Sequence, residues 1–132
     1  MPPWSTEELA RIGDAEELEI ASLRSDGTFR PAVTIWVVRD GEELYVRSVN
    51  GPTSSWYRGS QAQHAGRISA GGIEKAVAFE PAADDINDPI DAAYRSKYAR
   101  YSDRTLGRIM SRDARATTYR LVPRADTAEE NS

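Results

Sequence analysis

The sequence predicts a small, mainly antiparallel β-barrel with helical insertions. Three observations lead there: short strand-like runs joined by tight Gly turns, helical segments inserted irregularly among them, and no regular βα alternation of the kind that builds a doubly wound parallel sheet. The dipeptides Asp26-Gly27, Asp40-Gly41 and Gly71-Gly72 each sit between runs of strand-forming residues, where two-residue hairpin loops favour them. At 132 residues the chain has the size of one domain, able to bury a core without staples. Residues 1–123 are read as that domain and 124–132 as a polar tail.

In chain order, Ser5 and Glu8 form a capping box for a helix over Thr6–Ile12. Trp4 and Leu9 are placed as its hydrophobic staple, and Gly13 as its stop. Glu17 to Ser25, alternating through Leu18 and Ile20, reads as the first strand. The run from Pro31 to Arg58 then predicts two strands around a type I′ turn at Asp40-Gly41, followed by a Gly-Ser-rich loop opening a helix that ends near His64. That turn sets Trp36 opposite Tyr45 and Thr34 opposite Arg47, with Val33, Ile35, Val37, Leu44, Val46 and Ser48 on the other face. Both faces carry large groups, so the Trp36, Tyr45 and Arg47 face needs a cover: another part of the chain, a second subunit or a planar ligand.

Arg67–Ala70 and Ile73–Glu80 are the next two strands. The longest helix starts at Asp88 as N-cap with Pro89 next and runs to about Tyr101. Its stripe of Ile90, Tyr94, Tyr98 and Tyr101 is amphipathic, and Asp91 and Arg95 stand as an i,i+4 pair. A short helix over Leu106–Met110 and a last strand over Ala114–Val122, ended by Pro123, complete six strands.

Composition excludes several chemistries. There is no cysteine and only one histidine, which removes disulfides, thiolate nucleophiles and multi-histidine metal sites. The formal net charge of −4, from 21 acidic against 17 basic residues, argues against a general nucleic-acid binder. No apolar run approaches the ~20 residues of a membrane helix, and the N-terminus lacks the basic-then-apolar order of a secretion signal. The expectation is a cytoplasmic protein without membrane or nucleic-acid partners. Asp84, Asp85, Asp88 and Asp91 lack the spacing of a calcium loop, so no metal site is expected. His64, near a helix end, reads as a cap.

The segment from Ser48 to Arg58 is the sharpest candidate for chemistry. A helix N-terminus offers free N–H groups, Thr53, Ser54 and Ser55 add hydroxyls, Gly51 admits close backbone approach, and Arg47 and Arg58 add charge, a combination suited to phosphate. The same composition also makes a plain N-cap with solvated arginines. Trp36, Tyr45 and Trp56 offer planar surfaces for stacking or simply for packing. Tyr94, Tyr98 and Lys97 are the candidate proton donors, or else the core face of their helix.

The order W-V-V-R-D-G-E-E-L-Y-V-R-S-V-N-G, then W-Y-R at 56–58, G-R-I-S-A-G-G and a closing T-T-Y-R-L-V-P resembles the FMN-binding split-barrel superfamily. More narrowly, it is similar to a bacterial branch without assigned function within the pyridoxamine-phosphate-oxidase-like and deazaflavin-dependent-reductase-like proteins. The resemblance implies a six-stranded antiparallel split barrel, usually a homodimer, with FMN or a deazaflavin lying near the subunit interface. Carried over by position, Arg47, Ser48, Asn50 and Gly51 would cradle the cofactor phosphate, with the aromatic-Arg start of the next helix, Trp56 to Arg58, close by, and the ring would lie near Thr34 and Trp36; Ser54 and Ser55 join the phosphate site on their hydroxyls. The implied activity is oxidoreduction of a small organic substrate. The alternative is a cofactor-free small-molecule-binding protein or a non-redox enzyme using the same pocket.

Overall fold

A computed structural model describes residues 4–124; the remainder of the polar tail, 125–132, lies outside the described residues. The elements are α1 (Thr6–Asp14), β1 (Leu18–Ser22), β2 (Val33–Ile35), β3 (Val37–Asp40), β4 (Glu43–Val46), α2 (Ser55–Gln63), β5 (Ala65–Ala70), β6 (Ile73–Pro81), α3 (Asn87–Lys97), α4 (Asp103–Ile109), α5 (Arg112–Arg115) and β7 (Tyr119–Pro123). Short 3₁₀ turns precede α2 and α3 at Gly51–Thr53 and Asp84–Ile86. Among the described residues no helix is long and apolar enough to cross a membrane.

The strands form one antiparallel sheet in the order β2-β1-β5-β6-β7-β4-β3. Its two edge strands, β2 and β3, are successive in the chain and separated by Trp36 alone, so the sheet has to curl until its edges nearly meet. This closes the barrel. It also explains why seven strands replace the expected six: the run after Pro31 breaks at Trp36, its first half pairing with β1 and its second with β4.

The break changes the expected hairpin. Thr34 lies opposite Glu19, not Arg47, and Val38 rather than Trp36 lies opposite Tyr45. Asp40 pairs with Glu43, so the loop is Gly41-Glu42. Only Gly41 takes a positive φ there, +63°, which is the type II′ pattern with glycine first and spares Asp40 a left-handed conformation. The slip is two residues, and because side chains alternate with period two, each residue keeps its expected face. At Gly71-Gly72 both φ values are positive, as a type I′ loop demands.

Two cores result. Inside the barrel, Leu18, Ile20, Val37, Leu44, Val46, Ile68, Val77, Phe79 and Leu121 pack with Trp4 and Ile12 from the α1 end and with Trp56 and Tyr57 of α2. Outside it, Val38 and Tyr45 pack with Ile90, Tyr94 and Tyr98 of α3 and its C-cap and with Leu106 and Ile109 of α4, with Trp36 and Tyr101 against them. The chain itself therefore covers the Trp36, Tyr45 and Arg47 face.

The capping box of Ser5 and Glu8 forms, and the Trp4 indole donates to Leu121 O at 2.9 Å, fastening the chain start to β7. Other boundaries differ from expectation. Gly13 lies inside α1, where an added Cβ would sit 3.2 Å from the Arg39 Cβ; it serves close approach to β3 rather than termination. Helical structure begins at Asp84, before Asp88, so Asp88 is not the cap of α3. Asp91 pairs with Arg47 and Arg115 instead of Arg95. The segment expected to start the last strand at Ala114 is α5, capped by Ser111, and β7 starts at Tyr119.

Candidate functional site

The break in the β2–β3 strand frees Trp36 from sheet pairing and turns it toward α3 and α4. Its ring stacks on Tyr98 with centroids 3.9 Å apart and planes 6° from parallel, while Tyr101 leans on it at 4.9 Å. Tyr98 is held in turn by its hydroxyl, which donates to Glu16 O at 2.8 Å and accepts from the Val37 amide at 3.3 Å. Trp36 is therefore backed by a rigid aromatic column. It forms one wall of a cleft of about 210 Å³ with Thr34, Arg47, Val49, Thr105, Arg108 and Ile109. A larger cavity of about 500 Å³ lies along β6, but on its wall Lys75 is paired with Glu8 and Arg67 with Glu74, and no aromatic lines it.

Arg47 forms the floor of the cleft and is fully buried. Its Nε donates to Thr118 Oγ1 at 2.9 Å, Nη1 to Asp91 Oδ1 at 2.5 Å and Ile109 O at 3.2 Å, and Nη2 to Asn87 O at 3.2 Å and Oδ1 at 3.0 Å. A guanidinium has five N–H groups, and these five acceptors use all of them. Arg47 therefore ties β4 to α3, α4 and the start of β7. Asp91 gives its second oxygen to Arg115, 3.4 Å away, which also reaches Asp88 at 2.7 Å.

The loop expected to cradle phosphate is bonded to itself. Ser48 Oγ lies 2.8 Å from Gly51 O and 2.6 Å from Ser54 Oγ, the Ser48 amide donates to Thr117 Oγ1, and Thr53 Oγ1 donates to Asn50 O. Ser54, although it caps α2 by position, makes no side-chain capping bond. Gly51 has φ +74° and lies where a Cβ would come within 2.8 Å of Asp113 Cβ, so this loop is pressed onto α5.

The structure thus divides the residues singled out in the sequence. Thr34, Trp36 and Arg47 meet in the cleft, with Asn50 at its rim through a 3.5 Å contact to Arg108. Ser55 and Arg58 line a separate surface depression with Arg30 and Gly59. Trp56 is buried inside the barrel beside Tyr57 and Tyr119, on the opposite side of the sheet from Trp36. Tyr94 and Tyr98 are fully buried behind Trp36, and burial pushes both hydroxyls well above the usual phenol range. The Tyr94 hydroxyl is buried without a hydrogen-bond partner. Lys97 lines a different cavity, between α1, β3 and α3.

Sequence reasoning missed Val49, Thr105, Arg108 and Ile109. The last three come from α4, where Thr105, Arg108 and Ile109 at i, i+3, i+4 share one helical face, a spacing the sequence carries. It also missed Asn87 as a partner of Arg47, a contact between positions forty residues apart that no local pattern announces. Among the described residues no group of three or more metal-binding side chains gathers.

A curled antiparallel sheet with its edges joined through one strand, helices plugging an end and helices covering one outer face define a split-barrel protein. Solved structures agree on the fold. The chain is similar to an F420 reductase at TM-score 0.61 and 19% identity, covering 89% of this chain and 93% of that one. It is equally similar to a Listeria innocua protein described as a candidate pyridoxamine 5′-phosphate oxidase, at TM-score 0.61 and 15% identity, covering 90% and 92%. An FAD-binding protein from Mesorhizobium loti matches at TM-score 0.52 and 15% identity, covering 92% and 91%. No curated protein shows a significant sequence match. Residues 8–121 match the family DUF2255, described as an uncharacterized protein conserved in bacteria, and the chain belongs to that family.

Proposed function

We propose that the protein binds FMN or a deazaflavin with its ring against Trp36 and uses it in oxidoreduction of a small organic substrate. The observation that carries this reading is the Trp36–Tyr98 stack, which holds an indole at the wall of the cleft beside Val49 and Ile109, a fixed surface for a flat ring. The similarity of the fold to proteins described as an F420 reductase and an FAD-binding protein supports it. When bound, such a group supplies hydride transfer.

The fit is good for a ring and poor for the phosphate contacts implied by the resemblance. Arg47 has no N–H left to offer, and the Ser48 and Ser54 hydroxyls are bonded to each other. Arg108 is the exposed cation on the cleft, and with Thr105 it takes the anion-holding role in this reading. Arg47 acts indirectly, by fixing α4 and hence Arg108. Tyr98 and Tyr94 serve by holding Trp36 in place. The cleft, at about 210 Å³, is smaller than the ~300–1,000 Å³ usual for cofactor-sized ligands. A second copy of the chain completes it in this proposal, making the working form a homodimer.

The same saturation of Arg47 and the small volume favour a second reading, a cofactor-free protein that binds a compact planar anion in the cleft. Titration with FMN and with a deazaflavin, followed by visible absorbance and indole quenching, separates the two. The first reading expects saturable binding of one of them, weakened at least about tenfold by Arg108→Gln, the scale of one charge-assisted hydrogen bond. Absence of saturable binding by either cofactor overturns it.

A further inference from the structure

Away from the Trp36 cleft, a cavity of about 320 Å³ lies between α1, β3 and α3, with Asp14, Arg39, Ser96 and Lys97 on its wall. We propose that this cavity is a carbonyl-binding site in which Lys97 forms a Schiff base with a small aldehyde or ketone carrying a carboxylate, and Arg39 holds the carboxylate.

The geometry supplies each part. The Lys97 amine is half-buried and fixed, donating to Val37 O at 2.7 Å with the Tyr98 ring 5.1 Å away, so it does not sweep through solvent as a surface lysine does. Arg39 commits Nε to Gly41 O at 2.8 Å, which orients the guanidinium and leaves both Nη groups outside that bond, the pair that grips a carboxylate. Asp14 supplies a carboxylate to the same wall.

Burial lowers the Lys97 ammonium to about 8. The charged and titratable groups around it are Asp14 from α1, Glu16 from the connection to β1, Arg39 from β3, and Tyr98 and Arg100 beyond α3. Glu16 and Asp14 act in the opposite direction to burial, and burial prevails. Glu16 is itself engaged by Arg100 and Tyr101. About a tenth of the amine is therefore neutral at pH 7, far more than for an ordinary lysine, as a nucleophilic lysine requires.

In the step, the Lys97 nitrogen lone pair adds to the carbonyl carbon, forming a C–N bond and leaving a carbinolamine. The carbinolamine then loses its oxygen as water, whose two protons are the two originally on the amine, the second relayed to the departing hydroxyl by the Asp14 carboxylate or solvent. The imine remains, with no change of oxidation state. This inference is independent of whether the Trp36 cleft binds a cofactor.

The chain has two lysines, Lys75 and Lys97, which gives the test an internal reference. Intact protein is treated at pH 7 with glyoxylate and cyanoborohydride, and the reduced adduct is mapped by peptide mass spectrometry. Labelling is expected at Lys97 at least about tenfold faster than at Lys75, because burial lowers the Lys97 ammonium while Lys75 is held in its ion pair with Glu8. Arg39→Gln is expected to slow labelling by glyoxylate several-fold while leaving labelling by neutral propionaldehyde unchanged. Lys97→Arg, which keeps a donor for Val37 O, should fold and lose the fast adduct. Equal rates at the two lysines overturn the proposal, as does an Arg39→Gln variant that treats both aldehydes as the wild type does.

Discussion

Arg47 shows how one residue can look like a ligand-binding group in sequence and be a structural joint in the fold. Its charge is out of water, and five acceptors from three segments, α3, α4 and the start of β7, compensate the lost hydration. Arg47→Ala takes the donor from Asp91 Oδ1 and leaves the space of a buried guanidinium in the interior, and a loss of about 3–5 kcal/mol is expected from urea unfolding. Arg47→Lys should recover little, because a point ammonium cannot serve five directions. A wild-type-like midpoint for Arg47→Ala contradicts this role. Lys97 gives a pH signature. Its folded-state value of about 8 lies below the ordinary 10.5, so the unfolded chain binds more protons between those values and stability rises with pH there. Relative to wild type, Lys97→Met should flatten that rise from pH 8 to about 10, above which buried tyrosines act in the opposite sense. Identical pH profiles refute it.

At the scale of elements, close approaches decide more than propensity does. In β5, a Cβ on Gly66 would stand 2.3 Å from Ala21 O and 2.7 Å from Phe79 Cζ, so β1 and the barrel core are packed against bare backbone. Gly66→Ala should therefore lower stability by about 1–3 kcal/mol despite alanine's better backbone entropy, measurable as an earlier urea midpoint. Unchanged stability would mean that β1 can shift freely. The capping box of α1 offers a calibrated comparison: Ser5→Ala loses the bond to the Glu8 amide, an expected cost of about 1 kcal/mol. The β3–β4 loop teaches a different lesson. Asp40-Gly41 is a good turn dipeptide, yet the loop uses Gly41-Glu42, because one glycine at the first position satisfies a type II′ turn without straining aspartate.

At the scale of the molecule, one sheet has a core on each side. Trp4 and Trp56 report on the barrel interior, while Trp36 reports on the layer under α3 and α4. Arg47 and Tyr98 bind these layers to the same strands, so both should unfold in one transition, with far-UV dichroism and indole fluorescence coincident in urea. A separate early loss of α3 and α4 would show that the outer layer is independently stable. In the native state, Trp36 is the tryptophan open to solvent among Trp4, Trp36 and Trp56, so Trp36→Phe should remove most acrylamide-quenchable emission.

The strands, the capping box, the Gly71-Gly72 hairpin and the apolar faces of α1 and α3 were legible in the sequence because each depends on neighbours within a few residues. Period-two alternation even survived the hairpin slip, since a shift of two leaves every side chain on its own face. Thr34 and Trp36, which the resemblance puts near a ring, do line the cleft, although the expected pairing with β4 does not form. Other decisions needed contacts between distant positions. The break at Trp36 follows from closing the sheet, the cover of its outer face from α3 and α4 folding back on it, and the saturation of Arg47 from acceptors 40 to 71 residues away. Local pattern determined which residues alternate, cap and turn; only the tertiary structure decided which arginine is consumed holding the fold together and which, Arg108, is left at the cleft. A guanidinium's role depends on what its five N–H groups find, and that is set by the closed barrel.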